Sequence, residues 1–96
     1  MKGKSFLSIS DMSGDQIRSL LSSAITIKNE WTTLLDKKIL AILFEKPSSR
    51  TRVSFEVGMR QLGGQTIYLS PAEVGLGTRE SPADVAKVLG RYVDAI

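Results

Sequence analysis

Polar and apolar positions alternate along the chain in blocks that predict its elements. Ser13-Gly14-Asp15-Gln16 sets a serine at a cap position with a glutamine three residues on, the pattern in which each side chain satisfies a backbone N–H of the other. Behind it Ile17, Leu20, Leu21, Ala24, Ile27, Trp31 and Leu34 recur at helical spacing, which predicts an amphipathic helix over residues 13–35. The period then changes. Residues 39–44 read Ile-Leu-Ala-Ile-Leu-Phe, apolar on both faces as a central parallel strand is. A short polar loop over residues 45–49 leads to a second helix from about Thr51, with Phe55, Met59 and Leu62 on one face. Gly63-Gly64 ends that helix, supplying a left-handed cap that other residues adopt at a cost.

Residues 66–69, Thr-Ile-Tyr-Leu, read as a second strand, and residues 70–80 as a loop holding Pro71, Gly75 and Gly77. Ser81-Pro82-Ala83-Asp84 gives a third helix a capping box and a proline at its first position. Val85, Val88, Leu89 and Tyr92 form its expected buried face, and Val93-Asp94-Ala95-Ile96 starts a third strand in which the sequence stops. Strands alternating with helices predict the α/β class: a parallel sheet with helices on both faces. A stop in mid-strand implies that residues 1–96 are an incomplete domain of a larger protein.

Composition narrows the chemistry. The 96 residues are 42% hydrophobic and 24% charged, which is ordinary for a globular protein and enough for one small domain. The longest apolar run, residues 39–44, falls far short of the roughly 20 residues of a membrane span. The basic start Met1-Lys2-Gly3-Lys4 has no apolar signal core behind it, so the expected location is the cytoplasm. There is no cysteine and no histidine. Disulfides and thiolate chemistry are excluded, and the commonest general base and metal ligand is missing. Chemistry here must rest on Arg, Lys, Ser, Thr and carboxylates. A net charge of +3 suits an anionic small molecule but, without a basic stripe or aromatic platforms, gives no case for nucleic acid.

The segment with the densest chemistry is residues 44–56, where a central strand ends and a helix begins. Open α/β sheets bind ligands at that carboxyl edge. A helix start exposes unpaired N–H groups and carries about half a positive charge. Ser48, Ser49 and Thr51 add hydroxyls, and Arg50 adds a planar fork suited to phosphate or carboxylate oxygens. The plain structural reading stands beside this one: either serine as a simple N-cap, Arg50 as a solvated charge, and Arg52 paired with Glu56, its i+4 neighbour. Lys46 is followed by Pro47, so there is no Walker-type loop. The residues by themselves support an anion site at a helix start and do not name the ligand.

The run Phe44-Glu45-Lys46-Pro47-Ser48-Ser49-Arg50-Thr51-Arg52 resembles the carbamoyl-phosphate signature of the aspartate/ornithine carbamoyltransferase family, usually Ser-Thr-Arg-Thr-Arg shortly after Phe-Glu. Val53-Ser54-Phe55-Glu56, Glu80-Ser81, residues 88–96 and the opening Phe6-Leu7-Ser8-Ile9 are also similar to it, in order and spacing. Phe44-Glu45-Lys46 resembles the ornithine branch, and Thr78-Arg79-Glu80 lacks the Lys-Gly-Glu turn of the aspartate branch.

The resemblance implies transfer of the carbamoyl group of carbamoyl phosphate to the δ-amine of L-ornithine, giving L-citrulline and phosphate. It implies that Ser48, Ser49, Thr51 and the helix N-terminus hold the phosphate. Arg50 is the expected catalytic residue, bridging phosphate and carbamoyl oxygens where negative charge grows. No metal, cofactor or covalent intermediate is implied. The expected assembly is a homotrimer with shared active sites. By the resemblance, residues 1–96 are expected to be a partial N-terminal carbamoyl-phosphate-binding domain without the ornithine-binding domain, so the 96 residues alone should have little or no activity. Two residues depart from the pattern: Ser49 stands where threonine is common, and Gly75 where many ornithine enzymes carry a Gln or His that reaches into the neighbouring site. The competing readings are a truncated, non-enzymatic anion-binding fragment, another acceptor such as putrescine or aspartate, and a weak nucleic-acid binder using Lys46, Arg50 and Arg52.

Overall fold

Strand β1 spans Ile39–Leu43, and its parallel partner β2 spans Gln65–Leu69. The register sets Ile39 opposite Gln65 and runs without a slip to Leu43 opposite Leu69. Helix α2, Ser49–Gln61, connects the two strands and lies against β2. On the other edge of β1, Asp94 N–H donates to the Ile39 carbonyl at 2.9 Å and Ala41 N–H donates to the Ala95 carbonyl at 2.9 Å. Leu40 and Ala95 thereby form a parallel bridge. β1 is thus paired along both edges, and Ala41 and Ile42 are buried. The computed structural model describes residues 4–28, 30–44, 46, 48–70 and 81–96. They fall into two compact units, Met1–Glu30 and Trp31–Ile96, and the sheet belongs wholly to the second.

Hydrogen bonds fix the ends of these elements. The Asp94 carboxylate accepts the Ile39 N–H at 2.8 Å and lies 3.9 Å from the Lys38 ammonium, so the expected third strand docks where β1 begins. It amounts to one bridge within the described residues. Gly63 has φ of 85°, the left-handed conformation expected at the end of α2, and its N–H donates to the Arg60 carbonyl at 3.1 Å. A Cβ there would stand 3.0 Å from the Thr32 carbonyl oxygen. Helix α3, Pro82–Leu89, starts at Ser81, whose hydroxyl accepts the Asp84 N–H at 3.2 Å.

In the first unit, a 3-10 turn at Ile9–Asp11 precedes helix α1, Gly14–Ile27. The capping box is complete: Gln16 N–H donates to the Ser13 hydroxyl at 3.1 Å, and Ser13 N–H to the Gln16 amide oxygen at 2.9 Å.

Several expected boundaries move. The helix predicted over residues 13–35 stops at Ile27. Ile25-Thr26-Ile27 is a β-branched run of low helix propensity, and the Thr26 hydroxyl bonds back to the Ser22 carbonyl at 3.0 Å. Beyond it, Thr32 and Leu35 donate their N–H groups to the Gln61 and Leu62 carbonyls, each at 2.7 Å, and so serve the end of α2. Trp31 and Leu34, assigned from spacing to the apolar face of that helix, are accordingly outside it and exposed. Phe44 falls just past β1, and α2 begins two residues earlier than expected. On α3, Val85 is buried and Leu89 half-buried, but Val88 and Tyr92 are exposed. The helix ends at Leu89, and Tyr92 N–H donates to the Leu89 carbonyl in the turn beyond it, so Tyr92 leaves the helical face. The loop expected over residues 70–80, with Pro71, Gly75, Gly77, Thr78, Arg79 and Glu80, lies outside the described residues from 71 on, as do Glu45 and Pro47.

Candidate functional site

The turn from β1 into α2 stands at the carboxyl edge of the parallel pair. Ser48 is the N-cap of α2, extended at φ −146° and ψ 92°. Its carbonyl accepts the Arg52 N–H at 3.1 Å and closes the first turn. Its hydroxyl makes no capping bond.

Each of the three α-helices among the described residues starts from a serine, but the three starts differ. Ser13 and Ser81 cap α1 and α3 with their hydroxyls, and each of those helices has an aspartate in its first turn, Asp15 and Asp84. α2 has neither a side-chain cap nor an acid in its first turn, and it carries Arg50 there. A cation at a helix N-terminus opposes the dipole, at a cost of about 0.3–1 kcal/mol. The start of α2 therefore forgoes the devices that stabilise the other two. The first-turn N–H groups of Ser49, Arg50 and Thr51 have no capping side chain, and the first turn carries a guanidinium with no acid among its residues. An anion bound there supplies both the missing acceptor and the missing charge.

The two arginines differ. Arg52 Nε is 3.5 Å from Glu56 Oε2, the expected i,i+4 pair. Its guanidinium carbon also lies 3.8 Å from the centre of the Tyr68 ring, a cation–π contact worth about 0.5–1 kcal/mol at an exposed site. Arg50 is exposed and makes no ion pair or side-chain hydrogen bond among the described residues. It lines an open groove of about 550 Å³ with Ser49, Val53, Ser54 and Val57. Ser48 is half-buried, and Ser49 and Thr51 are exposed. The expected residues thus sit together on one turn, open to a ligand. Tyr68 lies behind this turn with its ring centre 6.4 Å from that of Phe44; the sequence places Phe44 in the signature run and Tyr68 in the second strand and does not join the two. The strand register, with Tyr68 opposite Ile42, brings Tyr68 to the turn. Among the described residues no group of three His, Cys, Asp or Glu side chains is placed to hold a metal ion, and no helix is long and apolar enough to cross a membrane.

Residues 4–96 match the family model described as aspartate/ornithine carbamoyltransferase, carbamoyl-P binding domain. The chain belongs to this family. Among curated carbamoyltransferases, the ornithine carbamoyltransferase of Anoxybacillus flavithermus is 50% identical over 101 residues, covering 100% of this chain and 32% of the relative. The solved structure of ornithine carbamoyltransferase from Pyrococcus furiosus superposes with a TM-score of 0.90 at 43% identity, over 98% of this chain and 32% of that one. An N-acetyl-L-ornithine transcarbamylase structure matches with a TM-score of 0.84 at 42% identity, over 95% of this chain and 30% of that one. These superpositions establish the α/β fold class expected from the sequence. The chain spans about a third of the length of the carbamoyltransferases it matches. Over that third it is about as similar to the acetylornithine enzyme as to the Pyrococcus ornithine enzyme.

Proposed function

We propose that the full-length protein transfers the carbamoyl group of carbamoyl phosphate to the δ-amine of L-ornithine, giving L-citrulline and phosphate, and that this chain supplies the carbamoyl-phosphate half-site. The observation that carries the reading is the start of α2: an uncapped helix N-terminus with no first-turn acid and an Arg50 unpaired among the described residues, inside a segment matching the family's carbamoyl-P binding domain.

The neutral amine attacks the carbamoyl carbon. The carbon–oxygen bond to phosphate breaks, the amine loses a proton, and phosphate leaves with the bonding electron pair. Ser48, Ser49, Thr51 and the first-turn N–H groups hold the phosphate. Arg50 spans its oxygens and the carbamoyl oxygen, neutralising charge that builds as the bond breaks. This is electrostatic catalysis by groups set before the substrate arrives. The acceptor amine is bound by the part of the protein beyond this domain. The proposed assembly is a cytoplasmic homotrimer with active sites shared between subunits, in which Gly75 leaves the neighbour's contribution to other residues of its loop.

The test is an assay of the full-length protein with carbamoyl phosphate and, in parallel, ornithine, N-acetylornithine, putrescine and aspartate. Citrulline formation with ornithine preferred supports the reading. Preference for another amine overturns the acceptor, and no product with any of them overturns the reaction.

A further inference from the structure

We infer that Tyr68 and Arg52 are positioning residues of the anion site, a single ring and guanidinium that fix the direction of the donors between Ser48 and Thr51. This rests on the proposal that the start of α2 binds a phosphate group.

Tyr68 lies opposite Ile42 in the parallel register, on the half of the sheet where β1 runs into the site turn. Phe44, at the β1 end of that turn, meets the Tyr68 ring at 6.4 Å between centres and 52° between planes. Arg52, at the α2 end, lies over the same ring at 3.8 Å. Its backbone N–H closes the turn on the Ser48 carbonyl at 3.1 Å. Both ends of the segment that carries Ser48, Ser49, Arg50 and Thr51 therefore rest on one aromatic side chain of the neighbouring strand. Glu56, whose side chain is only 19% exposed, holds the guanidinium from the flank at 3.5 Å. With Ser48 not capping, the first-turn N–H groups of α2 have no side-chain acceptor among the described residues, and the local side-chain bond there, from the Ser54 hydroxyl to the Thr51 carbonyl at 2.8 Å, leaves them open. The stack on Tyr68 replaces that cap and leaves the N–H groups free. Donors held in one direction lose less freedom on binding than donors that must be ordered by the ligand.

A ring that only filled space would act on stability alone. A positioning ring acts on ligand affinity as well, and the full-length protein distinguishes the two. In Tyr68→Leu the dissociation constant for inorganic phosphate, and KM for carbamoyl phosphate, should rise about tenfold, with KM for the amine unchanged. Tyr68→Phe, which keeps the ring, should recover most of that loss. Arg52→Lys keeps a charge but not the flat plate and should weaken phosphate about threefold; this variant decides the matter if Tyr68→Leu does not fold. A lower melting temperature with unchanged phosphate affinity and KM overturns the positioning role and leaves the reaction standing. Weakened phosphate binding in a protein whose wild type transfers no carbamoyl group supports positioning and overturns the reaction. A wild type that binds neither phosphate nor carbamoyl phosphate overturns both.

Discussion

Arg50 and Arg52 are two residues apart on the same helical turn, yet only Arg52 is engaged. Arg52 is paired with Glu56 and stacked 3.8 Å from the centre of the Tyr68 ring, whereas Arg50 has no side-chain partner among the described residues. Two residues on a helix are separated by about 200° of rotation, so the pair points to opposite sides of α2. One side meets β2 and the other faces the open groove.

That separation predicts opposite effects on stability. Arg52→Ala loses a cation–π contact and a partly exposed ion pair and should lower the unfolding free energy by about 1 kcal/mol. Arg50→Ala removes a charge that opposes the helix dipole and should leave stability within about 0.5 kcal/mol of wild type, or raise it. Urea titration of the two variants reads both values. A larger loss in Arg50→Ala would reverse the structural assignment.

Gly63 is the point where α2 must turn toward β2. At φ of 85° any other residue is strained, and an added Cβ would stand 3.0 Å from both the Thr32 carbonyl oxygen and Thr33 Cα. Gly63→Ala should cost at least about 1 kcal/mol, mostly from the left-handed backbone. Equal midpoints in chemical denaturation would contradict it.

The isolated 96 residues should be weakly stable. Among the described residues only Ala41, Ile42 and Val85 are buried apolar side chains, while Phe55, Val53, Ile67 and Val88 remain exposed at 44–55%. So small a core offsets little of the ordering cost of about 1 kcal/mol or more per residue. A broad melt with strong binding of a hydrophobic dye is expected from residues 1–96. A sharp, cooperative transition of the monomer contradicts it.

Most of this fold could be read before the structure, for reasons that differ by element. β1 was legible because Ile39, Ala41 and Leu43 are as apolar as Leu40 and Ile42, and only a strand covered on both faces and both edges tolerates that. The caps at Ser13 and Ser81 were legible because a cap is local, needing only the residue three positions on. The end of α1 was not. Trp31 and Leu34 continue the helical spacing, and what overrides it is a pair of long-range bonds from Thr32 and Leu35 to the last carbonyls of α2. The site divides in the same way. Ser48 to Thr51 are consecutive and could be grouped from the sequence. That the Ser48 hydroxyl makes no capping bond, and that Tyr68 lies behind the turn, depend on backbone angles and strand register that no local pattern encodes.

The most direct test is the steady-state kinetics of Arg50→Ala in the full-length protein, with carbamoyl phosphate varied at saturating ornithine. Arg50 is exposed and unpaired among the described residues, so its removal disturbs little else. A group that neutralises charge in the transition state contributes to turnover as well as to binding. We predict a fall in kcat/KM for carbamoyl phosphate of about 10²-fold or more, expressed partly in kcat, with only partial recovery in Arg50→Lys. Near-normal turnover in Arg50→Ala would contradict the account.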